Sequence, residues 1–444
     1  MLAAITLKNF RSYRQQARLP LSSLTVLIGA NASGKSNAIE GVRLLGWLAQ
    51  KQNLSAIQYA VQNGDRVVRG TIGDLVFDRK ESRNQSFGLG VETNEPEWNR
   101  LTMTLSHRGN GLHIIAETLT HPHASVPLYV LDQPSVSPGT DVSVAYNNFV
   151  RGRNKPRVTC TDQMAIFTQL TTPAIFANHR ESKKLIPPVT KQIGVQLSAI
   201  LFLDPAPNRM RDYTFPSETS LQSDGRNLSA VLYNLWGKDK TNKNNDQNRK
   251  DILAFIQNLP EQKITNLSFI EEPRGGVMVQ LTETFGDKKH NYDASLLSDG
   301  TLRVLSIAAA LLSAPAGSLV VIEEIDNGVH PSRANRLIDK IQSIAKRRGL
   351  QVLLSTHNPA LLDALPDSAL PDVVFCYRDP KEGSSRLVRL QDVPDYPGLV
   401  AQGSLGELVS HVVLERFVKQ PCVDTDRKTK ALAWLESLRQ GCEP

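Results

Sequence analysis

Cysteine is scarce in this 444-residue chain. The four thiols, Cys160, Cys376, Cys422 and Cys442, are scattered and form no Cys-x-x-Cys pair. That argues against a disulfide scaffold or a zinc site and suits a reducing compartment. Long apolar runs are missing too. No stretch of 18 apolar residues occurs, so no transmembrane helix is expected. The first residues show no basic segment followed by a continuous apolar stretch, so no secretory signal is expected. Internal repeats and low-complexity tracts are absent. Neither charge sign dominates: 51 Lys and Arg stand against 44 Asp and Glu, a net +7. This balance permits nucleic-acid contact without demanding it. With 40% hydrophobic residues the chain can bury a large core and is expected to form two lobes. The expectation is a cytoplasmic protein with no membrane partner.

What is present is concentrated in one stretch. Residues 29 to 36 read Gly-Ala-Asn-Ala-Ser-Gly-Lys-Ser, which fits G-x-x-x-x-G-K-[S/T]. An apolar β-type run, Leu24 to Ile28, precedes it, and a helix-type run from Asn37 to Gln50 follows. Strand, glycine loop and helix are the context a phosphate-binding loop needs. Gly29 and Gly34 let the backbone curl so that successive N–H groups point at phosphate oxygens. The helix start adds a positive dipole end. Lys35 is placed to reach the β and γ phosphates, and the Ser36 hydroxyl to ligate Mg²⁺. Asn31, Ser33 and Asn37 complete the expected nucleotide-binding set. ATP and Mg²⁺ are the expected cofactors.

Four further segments narrow the reading. Residues 319–324, Leu-Val-Val-Ile-Glu-Glu, form an apolar strand ending in two carboxylates. Glu323 would hold Mg²⁺ through water, and Glu324 would orient or deprotonate an attacking water. A buried strand with a solvated acidic end is the plainer alternative. Residues 296–303, Leu-Leu-Ser-Asp-Gly-Thr-Leu-Arg, open an apolar helix running to about Leu312. Ser298, Asp299 and Gly300 could bind an anion there, or Ser298 or Asp299 could simply cap the helix. Residues 352–358 form another buried strand that delivers His357 at its end. Asp326-Asn327-Gly328-Val329-His330-Pro331 leads into a helix with Pro331 near its first turn.

Taken in order, these pieces resemble the ABC-type ATPases, and within them the soluble branch that includes RecF and the SMC heads. Closer still, the chain resembles the OLD-like ATPases grouped as AAA_21 and AAA_15. Ile5-Thr6-Leu7-Lys8-Asn9-Phe10-Arg11-Ser12-Tyr13 resembles their first strand, and Leu297 to Arg303 and Ser355 to Pro359 are forms that branch uses. The resemblance covers the first fifty residues and roughly residues 205 to 415. It implies that Ser298-Asp299-Gly300 is the ABC signature, His357 the switch histidine and Asp326-Asn327 part of the D-loop. Two departures stand out. The usual Asp of the acidic strand is Glu323, and no glutamine can be assigned to a Q-loop.

The expected fold is α/β: a P-loop NTPase head of the ABC type, with a mixed sheet core, a flanking antiparallel β lobe and a helical insertion. Residues 1–50 and 205–415 are expected to form the core. Short alternating runs between turns, among them Val67 to Val76 and Leu101 to Leu105, assign 51–148 to the β lobe. Residues 149–204 are read as the helical insertion, with one helix near Asp162 to Leu170 and another near Thr190 to Ile200, after Pro187-Pro188. Residues 237–250 read as a polar loop. Two strands are expected in Lys263 to Thr284. From 296 to 380 strands alternate with helices, as in a parallel sheet. Two amphipathic helices are expected near 405–418 and 427–440, with 416–444 as a helical tail.

The resemblance further implies that the signature serine of one subunit meets the nucleotide held by another, so that ATP joins two heads. Two functions follow from it. One is a slowly hydrolysing ATP switch that dimerises head to head, or forms a higher oligomer, and controls a separate effector, expected to be a nuclease. Such subunits occur in anti-phage systems of the Septu and PARIS type. After His357 only about 87 residues remain, too few for a TOPRIM nuclease domain with its linker. The alternative is a RecF-like repair or recombination ATPase acting directly on DNA, through basic clusters at Arg151–Arg157 or Lys346–Arg348. A transporter ATPase is disfavoured because a Gly-Gly-Gln type signature is missing.

Overall fold

The computed structural model describes residues 1–419 apart from 63–64, 78–84, 110, 137–138, 153, 238–242, 258–262, 327–333, 394–395 and 411–412. Two sheets organise the chain. The larger is antiparallel and eight-stranded, built from β1 (Leu2–Lys8), β2 (Ala17–Pro20), β6 (Gln85–Thr93), β7 (Arg100–Arg108), β8 (Gly111–Thr120), β9 (Tyr129–Gln133), β10 (Asp141–Tyr146) and β11 (Arg157–Thr161). Its spatial order is β11-β10-β9-β8-β7-β6-β1-β2. The second, six-stranded sheet contains β3 (Leu24–Ile28), β12 (Leu201–Leu203), β16 (Leu319–Ile322), β17 (Gln351–Thr356), β18 (Val373–Arg378) and β19 (Ser385–Arg389). Its order is β12-β16-β17-β3-β18-β19, parallel except for the antiparallel edge strand β19. A small hairpin, β4 (Val61–Gln62) with β5 (Asp65–Arg66), and a three-stranded sheet, β13 (Ile264–Glu271), β14 (Val277–Phe285) and β15 (Lys288–Asp293), complete the strands.

The helices are α1 (Lys35–Leu48), α2 (Ile166–Gln169), α3 (Arg180–Ser198), α4 (Leu228–Trp236), α5 (Lys243–Ile256), α6 (Asp299–Ser313), α7 (Ala334–Arg348), α8 (Pro359–Asp363), α9 (Tyr396–Val400), α10 (Leu405–Ser410) and α11 (Val413–Lys419). The parallel sheet separates two cores, and the strand period of two decides which residue goes where. Leu27, Val321, Leu353, Val374 and Cys376 face the core shared with the antiparallel sheet and α1. Their neighbours Val26, Ile28, Val320, Ile322, Leu354 and Phe375 face the core built with α6 and α7. Every residue of β3 is buried. Each large apolar side chain there contributes about 1.5–3 kcal/mol relative to exposure. This makes β3 a rigid base for the loop that follows it.

Several elements differ from the sequence reading. Leu2–Lys8 and Ala17–Pro20, expected in the core, pair in the antiparallel sheet, where β1 lies between β2 and β6. Residues 157–161, expected in a helical insertion, form β11 and pair with β10. Leu201–Leu203, assigned to the same insertion, pairs in parallel with β16. The run Val67 to Val76 is no strand: Ile72–Leu75 is a 3₁₀ turn, because Thr71 and Asp74 form a reciprocal capping box. Helix α3 starts at Arg180 and runs through Pro187 and Pro188. The carbonyls those prolines leave unpaired belong to the exposed residues Lys183 and Lys184, where water can serve them. Residues 243–250, within the 237–250 stretch expected as a polar loop, belong to helix α5, because Ile252, Phe255 and Ile256 are buried and Arg249 lies over the Trp236 ring. The helix expected over 405–418 is met by α10 and α11, which lie on either side of residues 411–412. The helix expected at 427–440 lies outside the described residues.

Candidate functional site

Strand β3 ends at Ile28 and α1 begins at Lys35, so the glycine loop connects a buried strand to a buried helix. Gly29 has φ +146° and Gly34 φ +120°. A Cβ at Gly29 would lie 2.1 Å from the Cys376 carbonyl oxygen, and one at Gly34 would lie 2.3 Å from Ser385 Oγ. Both positions therefore require glycine on conformation and on space. Gly34 is the N-cap of α1, and no side chain accepts from its first-turn N–H groups. These donors remain available to an anion.

A cavity of about 480 Å³ opens over this helix start. Asn31, Ser33, Gly34, Lys35, Ser36 and Asn37 line it from the loop and α1. Glu324 lines it from the end of β16, Ser355, Thr356 and His357 from the end of β17, and Arg378 from the end of β18. All of these lie at the carboxyl ends of adjacent parallel strands, where open α/β sheets place ligands. Lys35 Nζ donates to the carbonyls of Gly29 (2.5 Å) and Ala30 (3.1 Å). Burial pulls its ammonium below the usual lysine range, opposed by Cys376, Glu324 and Asp326. An anionic phosphate would restore the charge solvation that burial removes.

Glu323 and Glu324 take different positions. Glu324 has φ +47°, and its N–H donates to Ser355 Oγ (3.1 Å). Left-handed backbone at a non-glycine residue costs on the order of 1–3 kcal/mol and persists only where its surroundings impose it. It sets the Glu324 carboxylate on the cavity wall. Glu323 faces α1 and pairs with Arg43 at 3.5 Å. Asp326 is buried, with Oδ2 3.3 Å from His357 Nδ1. Two buried polar atoms next to the cavity, Ser33 Oγ and Asp326 Oδ1, have no hydrogen-bond partner among the described residues. Orphaned groups and an uncapped helix start fit a polar, anionic occupant such as a magnesium-bound triphosphate.

The structure does not bring the signature residues into this cavity. Ser298 is the N-cap of α6 and its Oγ accepts from Thr301 N at 3.1 Å. Asp299 is exposed and pairs with Arg211 at 2.6 Å. Gly300 lies in the first turn of α6. Asn327 and the His330-Pro331 pair lie outside the described residues.

Sequence reasoning missed the clamp around the loop. Tyr13 Oη donates to the Gly34 carbonyl at 3.0 Å. Asn37 Nδ2 and Ser385 Oγ both donate to Ser12 Oγ, at 2.8 and 2.7 Å. Ser385 N donates to the Ser12 carbonyl at 2.6 Å. Cys376 Sγ donates to the Ser33 carbonyl at 3.4 Å, and burial pushes this thiol up from its ordinary pKa. Arg378 Nε donates to the Ala32 carbonyl at 3.0 Å. The one available signal was Arg378 itself, a cation directly after the apolar run Val373 to Tyr377.

Two family models match the chain: "AAA domain, putative AbiEii toxin, Type IV TA system" over residues 171–363 and "AAA ATPase domain" over residues 1–91. No curated protein matches. Among solved structures, an SMC head bound to the C-winged helix domain of ScpA is 15% identical, with 87% of this chain and 97% of that chain covered and a TM-score of 0.45. The SMC head domain from Thermotoga maritima is 14% identical, with 87% and 98% covered and a TM-score of 0.41. The two ATPase-domain models thus match the segments that carry the glycine loop between β3 and α1 and much of the parallel sheet beneath it.

Proposed function

We propose that the protein is an ATP-binding, slowly ATP-hydrolysing switch subunit that pairs head to head and controls a separate effector, a nuclease, in anti-phage defence. The observation that carries the ATPase part is the convergence of Lys35, Glu324 and His357, from three separate elements, on one cavity over an uncapped helix start. In this reading the N–H groups of residues 33–37 and Lys35 hold the phosphate chain. Glu324 orients the attacking water, and His357, steadied by Asp326, faces the terminal phosphate. Ser36 and, through water, Glu323 would hold Mg²⁺, which supplies neutralisation of phosphate charge when bound. Arg43 beside Glu323 directs that carboxylate.

The defence and effector part is supported by a family description that names a toxin–antitoxin system. The DNA-repair alternative draws less support. Arg157 is engaged by Asp132, Lys155 by Asn148 and Val150, Arg347 by Asp251 and Arg348 by the Ala314 carbonyl. Four cations of those basic clusters are thus engaged within the chain.

Head-to-head pairing would set Ser298, Asp299 and Gly300 against a partner's phosphate cavity, which agrees with the exposure of Ser298 and Asp299 away from their own. Mixing Lys35→Ala with Ser298→Arg protein tests this. Each alone should be inactive. In a mixed dimer both lesions can fall on one composite site, so part of the ATPase activity should return. A mixture as inactive as its parents, with subunit exchange demonstrated, counts against pairing. An ATP-bound monomer with full activity in light scattering rejects it, and Ser298 then only caps its own helix.

A further inference from the structure

We propose that Arg378 is a second phosphate-binding cation, supplied within the same chain and directed at the terminal phosphate of the nucleotide. The proposal rests on the ATP-binding reading above. Arg378 is the last residue of β18, which pairs in parallel with β3, so it emerges beside the glycine loop at the same sheet edge. Two edges of its guanidinium are fixed. Nε donates to the Ala32 carbonyl at 3.0 Å and Nη1 donates to the Gly383 carbonyl at 2.8 Å. Nη2 has no hydrogen-bond partner among the described residues, and the side chain is exposed on the wall of the phosphate cavity. A planar fork held at two edges presents its remaining N–H groups with little loss of rotamer freedom. The result is a preorganised donor for an anion.

Its place along the cavity selects the phosphate. Ser36 and Asn37 mark the helix-start end of the lining. Arg378 lies at the opposite end: it bonds the loop at Ala32, and with Asn31 and His357 it also borders an adjoining apolar cavity of about 210 Å³. Glu324, the acid placed for the attacking water, shares the larger cavity with His357. Attack occurs at the terminal phosphate, so the group flanked by Glu324, His357 and Arg378 is that phosphate. Arg378 would thus offset the charge that distinguishes ATP from ADP.

Calorimetric titration of the full chain with Mg-AMP-PNP and with Mg-ADP tests this. The variants are Arg378→Gln, Arg378→Lys and, as a control on the site itself, Lys35→Ala. Arg378→Gln should weaken AMP-PNP about tenfold or more and ADP less than about threefold, and Arg378→Lys should recover part of the AMP-PNP affinity. Thermal melts of the unliganded variants accompany each titration. Equal losses for both nucleotides, or no loss, overturn the proposal. A lowered melting temperature with equal losses would make Arg378 a latch between the β18–β19 hairpin and the loop. If wild type binds neither nucleotide, or Lys35→Ala binds as well as wild type, it is the ATP-binding reading that fails.

Discussion

The starts of α1 and α6 both contain Ser and Gly, and they are finished in opposite ways. At α1 the N-cap is Gly34, and no side chain accepts from the first turn. At α6 the N-cap is Ser298, whose own hydroxyl accepts from Thr301 N. The first is roofed by a polar cavity and clamped from behind by Tyr13, Ser12 and Ser385. The second is open to solvent, with Asp299 held by Arg211. In the ATP-binding reading proposed above, the anion site is made by withholding the cap. A helix start that satisfies itself has less to offer, and α6 can act on a phosphate only when a partner's nucleotide competes for Thr301 N and its neighbours. A third start, at α2, is capped from the antiparallel sheet, where buried Glu117 accepts from Ile166 N and Phe167 N at 2.9 and 2.7 Å.

The comparison breaks most severely at Gly34. Gly34→Ala forces a side chain into φ +120° and against Ser385 Oγ at 2.3 Å. The expected cost is about 2–4 kcal/mol of stability, with nucleotide binding lost. Denaturant melts and nucleotide titration check both; full stability and binding would mean that the loop is not clamped. Lys35→Ala removes the cation that the glycine loop itself supplies. Steady-state ATPase activity should drop about a hundredfold or more at unchanged folding.

The two carboxylates sharpen the contrast within the cavity. Glu324→Gln should retain ATP binding and lose about a hundredfold in hydrolysis, because the amide keeps the size and loses the charge that orients water. Glu323→Gln should weaken Mg²⁺-dependent binding and loosen Arg43. Nucleotide titrations with and without magnesium separate the two. If Glu323→Gln binds normally and only hydrolysis is lost, the roles are reversed. The smallest effect belongs to α6. Ser298→Ala removes a cap and should cost about 1 kcal/mol of stability while leaving nucleotide binding by the isolated chain unchanged. Melting curves and a titration at low protein concentration measure it.

The glycine loop was legible because its chemistry is local: eight consecutive residues carry the turn, the donors and the lysine. Glu324 and His357 could be placed on the cavity wall because each follows a buried strand, β16 and β17, whereas the position of Glu323 against Arg43 could not. The clamp was not, because its parts come from far along the chain. Tyr13 and Ser12 arrive from the turn after β1, and Ser385 and Arg378 arrive through β18 and β19, more than 340 residues after the loop they touch. Nothing in the sequence near Ser33 announces them. The sheet topology was legible in kind but not in membership. Alternating runs announced antiparallel strands, yet only pairing shows that Leu2–Lys8 joins Gln85–Thr93. Prolines misled at α3, because a solvent-facing gap in the ladder costs less than one buried in a core.

Hydrogen–deuterium exchange on the wild-type chain tests the contrast between the two helix starts most directly. Mg-AMP-PNP should slow exchange of the N–H groups of residues 33–37 strongly, at protein concentrations where the chain is monomeric. The N–H groups of residues 299–301 should be unaffected there and become protected only when concentration drives pairing. Equal exchange at residues 33–37 with and without nucleotide, in a protein that demonstrably binds it, would contradict the account.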